Sequence, residues 1–149
     1  MIALLAGAAS ATVVSRHLDA HALAVLSDAA VLGDVQDVSA RWSAGRIWTV
    51  ATLYLPDAGA EAEVWIPGGC VGGVCLTVSG SPWVEEGETV FVFLRNGSPA
   101  SLSQGLFHVQ GDEAERDLGD LSFVHDDDVP DRVKVAALEE AARPLRTRR

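Results

Sequence analysis

The chain has 149 residues, 21 of them acidic against 11 basic, for a net charge of −10 at pH 7. This length predicts one domain that buries roughly two-thirds of the surface of its unfolded chain. The charge argues against a nucleic-acid partner, since duplex binding depends on neutralising phosphates with lysine and arginine.

Residues 1–11 form an apolar run that ends in Ala9-Ser10-Ala11, the small-x-small pattern that signal peptidase accepts. We expect a signal peptide cleaved before Thr12, and a secreted, periplasmic or cell-envelope location. No basic residue precedes the run, so a start further upstream and a buried helix are the alternatives. The run is shorter than the ~20 apolar residues of a membrane span, and we expect no span elsewhere.

Residues 12–26 predict a short amphipathic helix. Its apolar residues recur at helical spacing: Val14, Leu18, Ala22 and Val25. His17 and His21 lie four residues apart on one face, which is metal-ligand spacing. Without a third ligand or an H-E-x-x-H glutamate, two solvent-facing histidines are the favoured interpretation.

Three strands are predicted next. Residues 29–41 predict the first barrel strand, with Gly33 at the bulge or tight bend that a small barrel needs in order to close. Residues 42–46 predict a hairpin turn, and residues 47–55 the return strand with two largely apolar faces. After an exposed turn, residues 61–67 alternate charged or small residues with apolar ones, as a half-buried strand does.

The two cysteines lie in a glycine-rich stretch. Pro67-Gly68-Gly69 stops the preceding strand, because proline donates no hydrogen bond and paired glycines tolerate positive φ. Four residues separate Cys70 from Cys75. A small disulfide loop, which adds about 2 kcal/mol, is the favoured interpretation. Free buried thiols, and a metal site with His108 as an extra ligand, are the alternatives.

The strongest strand signal follows this stretch. Residues 74–78 predict an extended run, and turn residues follow at 79–82. The polar turn Glu85–Glu88 precedes residues 89–94, a continuous β-branched and aromatic run typical of a central strand covered on both faces. Residues 106–110 predict a final short strand, with Gly105 before it allowing close backbone approach.

From residue 112 the composition turns acidic around an apolar island that could dock on the barrel: Leu118, Leu121, Phe123 and Val124. Asp126–Asp128 with Asp131 is rich in oxygen ligands but lacks the spacing, glycine and terminal glutamate of an EF-hand, so a solvated loop is favoured over calcium. Residues 132–143 predict a last helix that Pro144 ends, and residues 146–149 a disordered basic tip.

The pattern of strands and glycine turns predicts a mainly β protein: a five- or six-stranded, mainly antiparallel barrel with helices only near the two ends. We divide the chain into a signal-peptide remnant (1–11), a β-barrel domain with an N-terminal helix (12–111), and an acidic segment with a C-terminal helix and basic tip (112–149).

Three motifs resemble a group of uncharacterised secreted bacterial proteins: DAAVLGDV (28–35), EGETVFVFL (86–94) and QGLFHV (104–109). More distantly, residues 26–109 are similar to netrin-like and tissue-inhibitor-of-metalloprotease domains. The resemblance implies a small antiparallel OB-like barrel and secretion. It does not imply protease inhibition, because inhibitors of that family chelate the protease's metal with an amino-terminal cysteine, and this chain has none before Cys70.

The sequence contains no recognisable catalytic constellation, and we expect no catalytic residue, cofactor or metal. The serine pairs at 79–81 and 101–103 lack the G-x-S-x-G context, and the paired glycines lack the lysine of a P-loop. Glu85 and Glu86 are adjacent, so in an extended chain they point to opposite sides, which is poor geometry for acid and base catalysis.

The favoured hypothesis is therefore a secreted, monomeric, non-enzymatic binding module of unknown ligand. Exposed loops on a rigid barrel usually carry recognition. The candidate surface consists of Trp65, Gly68, Gly69, Gly72, Gly73 and Trp83. Core and hairpin packing is the alternative role for the four tryptophans, Trp42, Trp48, Trp65 and Trp83, and the more common one. An accessory or inhibitor domain acting on an extracellular hydrolase is the second hypothesis, and a small hydrolase is the least supported.

Overall fold

The structure is a computed structural model that describes residues 12–119, 121–125 and 128–146. The predicted signal peptide, two aspartates of the acidic cluster and the last three residues lie outside these ranges. In chain order the strands are β1 (Thr12–Arg16), β2 (Ala29–Ser43), β3 (Arg46–Leu55), β4 (Ala60–Pro67), β5 (Gly69–Val71), β6 (Val74–Leu76), β7 (Thr89–Arg95), β8 (Ser98–Pro99), β9 (Leu106–Gln110), β10 (Glu113–Glu115), β11 (Leu121–His125) and β12 (Arg132–Lys134). The helices are α1 (Ala20–Leu26) and α2 (Val135–Arg146), and a 3-10 turn spans Leu102–Gly105.

The main sheet is antiparallel and runs in the order β12, β10, β9, β7, β2, β3, β4, with β8 beside β7. The mainly β, antiparallel fold with two helices is confirmed. The pairings in the described ranges do not close into a barrel, since β4 and β12 form the two edges. One backbone hydrogen bond, from the Trp65 N–H to the Gly97 carbonyl at 2.9 Å, ties β4 to the turn between β7 and β8.

Strand β7 is the centre of the sheet, as its apolar sequence predicts. Val90 and Val92 are fully buried and pack in one hydrophobic cluster with residues of β3 and β4. Phe91 and Phe93 are fully buried on the opposite face, under the helices. Because alternate residues of β7 lie in different clusters, this strand joins two hydrophobic cores. Burial of each such side chain stabilises the fold by roughly 1.5–3 kcal/mol.

The two helices cover the face of the sheet that carries Phe91 and Phe93. Leu23 of α1 packs with Leu138 and Ala142 of α2 against the phenylalanines of β7. Helix α1 begins at Ala20. Asp19 is its N-cap, and the Asp19 side chain accepts a hydrogen bond from the Ala22 N–H at 2.8 Å. Aspartate at this capping position is strongly favoured because it satisfies a free backbone donor.

The predicted helix over 12–26 is therefore wrong in its first part. Residues 12–16 form β1, which pairs in parallel with β11. Thr12, Val13 and Val14 are β-branched, and such residues favour strands when a partner strand is within reach. Sequence periodicity could not show that partner, because it lies more than a hundred residues away.

Strand β2 contains its bulge at Gln36 rather than at the predicted Gly33. The register with β3 shifts between Val35 and Asp37. Val35 donates its N–H to the Glu88 carbonyl and accepts from the Gly87 N–H, both at 2.8 Å. Gly33 marks a close approach instead, because a Cβ there would lie 2.8 Å from the carbonyl oxygen of Tyr54.

The hairpin turn between β2 and β3 is shorter than the predicted 42–46. It consists of Ala44 and Gly45, which have φ angles of 50° and 75°. Positive φ at both central residues matches the right-handed twist of a hairpin. Trp42 pairs with Ile47 inside the ladder.

The segment after Gln110 adds to the sheet, so β9 is not the last strand. Strands β10 and β12 extend the main sheet, and Leu121 is buried in β11 while Val124 is 63% exposed. Arg132–Lys134 is strand rather than helix because it pairs with β10. Helix α2 also continues past Pro144, although proline cannot donate a helical hydrogen bond. The burial of Leu145 in the core under the helices offsets this loss.

No helix in the part of the chain that the structure describes is long and apolar enough to cross a membrane.

We predict that Gly105→Ala lowers the free energy of unfolding by about 1–3 kcal/mol, because overpacking forces backbone shifts. A Cβ at Gly105 would collide with the carbonyl oxygen of Ala100 and lie 2.8 Å from its backbone nitrogen. Urea unfolding measures the change. Gly119→Ala is the control, because its Cβ would meet only a side-chain oxygen of Asp117 at 3.3 Å. Equal stability of the two variants would contradict the close approach.

Candidate functional site

One cleft among the described residues has a volume of about 1030 Å³. It lies where the turn at Glu85–Glu88 meets strands β9 and β10 and the loop that follows β10. We call it the acidic cleft. A tryptophan, a histidine and several carboxylates line it, and the main ones are Trp83, Glu85, Glu88, His108 and Asp117.

A ring stack dominates this cleft. The indole of Trp83 lies on the imidazole of His108, with ring centroids 4.1 Å apart and planes inclined by 23°. Strand pairing positions the histidine, because His108 on β9 lies opposite Val90 on the central strand. Trp83 is still 48% exposed, so one side of its ring system is supported and much of the rest faces solvent.

The carboxylate of Glu88 holds the histidine in place. One of its oxygens lies 2.5 Å from His108 Nδ1, and the other accepts the Glu85 N–H at 2.9 Å. An ionised carboxylate only accepts hydrogen bonds, so Nδ1 carries the hydrogen. Because both oxygens are engaged, the carboxylate cannot rotate freely, and neither can the imidazole.

Asp117 holds the edge of the indole. The Trp83 Nε1–H donates to one oxygen of Asp117 at 3.2 Å, and the Gly119 N–H donates to the other at 3.1 Å. These two bonds, the backbone one first, lower the pKa of Asp117 because they stabilise the ionised form. The indole is therefore supported on one face by His108 and at its N–H by Asp117.

The charge of the cleft is predominantly negative. Its lining contains two arginines, Arg116 and Arg132, and six carboxylates: Glu85, Glu88, Glu113, Glu115, Asp117 and Asp131. Arg132 pairs with Glu115 at 2.9 Å, and Arg116 with Asp131 at 3.2 Å. The carboxylates next to Trp83 form no ion pair with either arginine, so the field around the indole attracts cations.

The histidine and glutamate pair resembles half of a catalytic triad, but no nucleophile accompanies it. Thr89 carries the single hydroxyl among the lining side chains, and it donates to Asp34 at 2.6 Å. A hydrolytic triad needs a hydroxyl or thiol within hydrogen-bond reach of the base. In the described ranges, no three His, Cys, Asp or Glu side chains come close enough to hold a metal ion.

A second cleft of about 350 Å³ is lined by residues of the β5 and β6 hairpin and by Trp83. We call it the neutral cleft, because none of its fourteen lining residues is charged. Trp83 lines both clefts. The two clefts are therefore neighbours that share this tryptophan.

Close backbone contacts hold the hairpin over the neutral cleft. Gly69 has φ 135°, and a Cβ there would lie 2.7 Å from Thr49 Oγ1. The Thr49 hydroxyl donates to the Gly68 carbonyl at 2.7 Å. Cys70 pairs with Cys75 across the hairpin, and the predicted disulfide between them is confirmed.

The structure brings together only part of the predicted surface. Gly68, Gly69 and Trp83 line the neutral cleft. Gly72 and Gly73 form the exposed turn of the hairpin, with no atom within 4 Å of a Cβ built on either. Trp65 is not part of this surface.

Trp65 instead belongs to a separate aromatic group on the outer face of β4. Its ring centroid lies 6.1 Å from that of Trp48, and the guanidinium of Arg41 lies 5.1 Å from it. Val64 and Ile66, its neighbours in the strand, are buried in the same core as Val90 and Val92. Because side chains alternate along a strand, Trp65 must point to the other face.

The predicted histidine pair is also separated. His17 lies before α1, stacked on Phe123 with centroids 4.7 Å apart, and its Nε2 is 2.9 Å from Asp131. His21 is exposed on the helix. The two share no helix face because the helix starts between them. The solvent-facing interpretation therefore holds for His21 and is wrong for His17.

Sequence reasoning missed the roles of Glu88, His108 and Asp117. It placed Glu88 in a polar turn and considered His108 only as an extra metal ligand. No local motif links the three residues. Their meeting depends on the pairing of β7 with β9 and on the loop after β10, which only long-range contacts establish.

In comparisons with known proteins, the chain matches no protein-family model, no curated protein and no solved structure. The resemblance to netrin-like domains therefore stays a prediction from the sequence motifs.

We predict that Trp83→Phe raises the pKa of Asp117 toward the ordinary value of 3.8, because phenylalanine cannot donate the hydrogen bond. The shift is partial, since the Gly119 N–H remains. The folded state favours the ionised Asp117 more than the unfolded chain does. This stabilisation is thus fully present above pH 3.8 and is lost as pH falls through the folded-state pKa. A carbon-detected NMR titration of the carboxyl measures it, and an unchanged pKa would contradict the bond.

We predict that Cys70 and Cys75 resist alkylation in denaturant until a reductant is added, and that intact mass is lower by two hydrogens before reduction. Replacing both with serine removes a short cross-link and lowers the free energy of unfolding by about 2 kcal/mol. The fold should persist, because the disulfide closes a hairpin at the edge of the domain. Full alkylation of both thiols without reductant would overturn the prediction.

Proposed function

We propose that the protein is a secreted, non-enzymatic binding module that holds its ligand on the exposed part of Trp83, where the acidic cleft and the neutral cleft meet. The observation that carries this proposal is the combination of support and exposure. His108 and Asp117 hold the indole from two directions, yet it is 48% exposed.

Support matters because binding usually costs conformational entropy. Immobilising a free side chain at an interface costs roughly 0.5–1.5 kcal/mol. Trp83 is already restricted by its stack on His108 and its bond to Asp117. Tryptophan is also enriched among the residues that dominate binding energy at interfaces. A restricted, exposed tryptophan at the junction of two clefts is therefore a favourable anchor for a ligand.

The lining of the acidic cleft favours binding over catalysis. Its histidine and glutamate pair has no hydroxyl or thiol nucleophile beside it, since Thr89 donates to Asp34. Its structural role accounts for the pair, because Glu88 positions His108 and His108 supports the indole of Trp83. The exposed disulfide of the hairpin favours an oxidising compartment, where such cross-links persist. An OB-like barrel of netrin-like type is part of this proposal at the level of fold only.

The test is a selection of phage-displayed random peptides against the immobilised protein, followed by binding of the selected clones to two variants. We expect the clones to lose at least about tenfold in affinity, equivalent to 1.4 kcal/mol, for Trp83→Ala. Trp42→Ala is the matched control, because Trp42 is 53% exposed but lies in the hairpin of β2 and β3.

Clones that bind Trp42→Ala as they bind the unchanged protein, and that lose affinity for Trp83→Ala, support the proposal. Binding that is equal for both variants, or a selection that yields no clone dependent on Trp83, overturns it. Circular dichroism of each variant confirms that the fold is retained, so a loss of binding reports on the surface.

A further inference from the structure

The two clefts that meet at Trp83 differ sharply in charge. The acidic cleft contains six carboxylates against two guanidiniums, whereas the neutral cleft has no charged residue in its lining. From this contrast we propose that the ligand is an extended polypeptide segment with a basic side chain close to an apolar one. The inference rests on the proposed binding function and assigns its ligand class.

The acidic side suits a lysine or arginine of the ligand. Glu85 lies in the turn beside Trp83, and Asp117 accepts the indole N–H. A cation over an indole is attracted by the negative face of the ring, and a carboxylate beside it adds a charge-assisted hydrogen bond. Carboxylates that flank a tryptophan therefore favour a cation in the same place, and they disfavour an acidic ligand.

The neutral side suits an aliphatic side chain. Ile66, Val78, Pro82 and Val84 line it together with the disulfide. Its volume of about 350 Å³ is at the small end of the range of ligand pockets, and it is large enough for one or two side chains. No charged group there would pair with a second cation, so the apolar and basic parts of the ligand must occupy different clefts.

A polypeptide segment meets both demands with one chain. Residues i and i+2 of an extended peptide project to the same side about 7 Å apart, so an apolar and a basic side chain can straddle one indole. The net charge of −10 also steers basic segments toward the protein over distances of about 10 Å at moderate salt. A neutral ligand would make no use of the carboxylates around Trp83.

The test uses three labelled peptides in which two residue types take turns at every second position, with a glycine or serine between them. The pairs are leucine with arginine, leucine with glutamate, and serine with arginine. Fluorescence anisotropy measures their affinities for the unchanged protein and for Trp83→Ala. A Glu85→Gln, Asp117→Asn double variant removes two carboxylates at the site and keeps an acceptor for the indole N–H. Asp57→Asn, Glu61→Gln is the matched control, because it removes two exposed carboxylates, one in the turn between β3 and β4 and one near the start of β4.

We expect the leucine and arginine peptide to bind best, and to lose about three- to tenfold in affinity when Glu85 and Asp117 are neutralised. The control variant should bind almost unchanged, and Trp83→Ala should bind least. Circular dichroism and the urea midpoint of each variant show whether the fold is retained.

Three outcomes overturn the inference. The glutamate peptide binding as well as the arginine peptide removes the charge assignment. The serine and arginine peptide binding as tightly as the leucine and arginine peptide removes the role of the neutral cleft. An equal loss in the control variant shows general attraction to an acidic protein. If library clones still depend on Trp83, each outcome leaves the binding module intact with another ligand class. If they do not, the proposed function fails as well.

Discussion

The fold depends on a buried arginine. Arg116 is 3% exposed, and its guanidinium donates to the carbonyl of Gln104 at 3.1 Å and to the carboxylate of Asp131 at 3.2 Å. Burial lowers the pKa of Arg116, because desolvation disfavours the charged form, and Asp131 opposes that effect. The same carboxylate contacts His17 at 2.9 Å. Asp131 is 44% exposed, so solvent screens this pair in part, but removing its carboxylate would still leave the buried guanidinium without its ionic partner.

This network joins segments that are far apart in the chain. The side chain of Gln104 accepts from the Leu18 N–H at 2.7 Å and donates to the Arg16 carbonyl at 3.2 Å. The connection between β1 and α1, the 3-10 turn, the end of β10 and the start of β12 thus meet at one polar centre. The helices can then cover the phenylalanines of β7, because both of their entry points are fixed.

The candidate site depends on the same centre. Asp117 follows Arg116 directly, so the buried guanidinium sets where the loop after β10 begins. Asp117 then reaches the indole of Trp83, which in turn lies on His108. The exposed anchor of the proposed binding surface is therefore linked to the buried network through Asp117, by one hydrogen bond and one peptide bond. Rigidity at the surface follows from a satisfied polar group in the interior.

Local pattern determined five strands of the main sheet: β2, β3, β4, β7 and β9. The run at 89–94 specified a strand buried on both faces, because every residue in it is apolar or β-branched. The spacing of Cys70 and Cys75 favoured a disulfide over free thiols or a metal site. Gly105 specified a close approach for the same kind of local reason. Tertiary structure alone decided the rest. Residues 12–16 became a strand because β11 lies beside them and pairs with them. Trp83, Glu88, His108 and Asp117 became one site because strand pairing and a buried arginine bring three segments together: the stretch before β7, strand β9, and the loop after β10. Contacts between distant residues leave no periodicity in a sequence, so neither could be read from it.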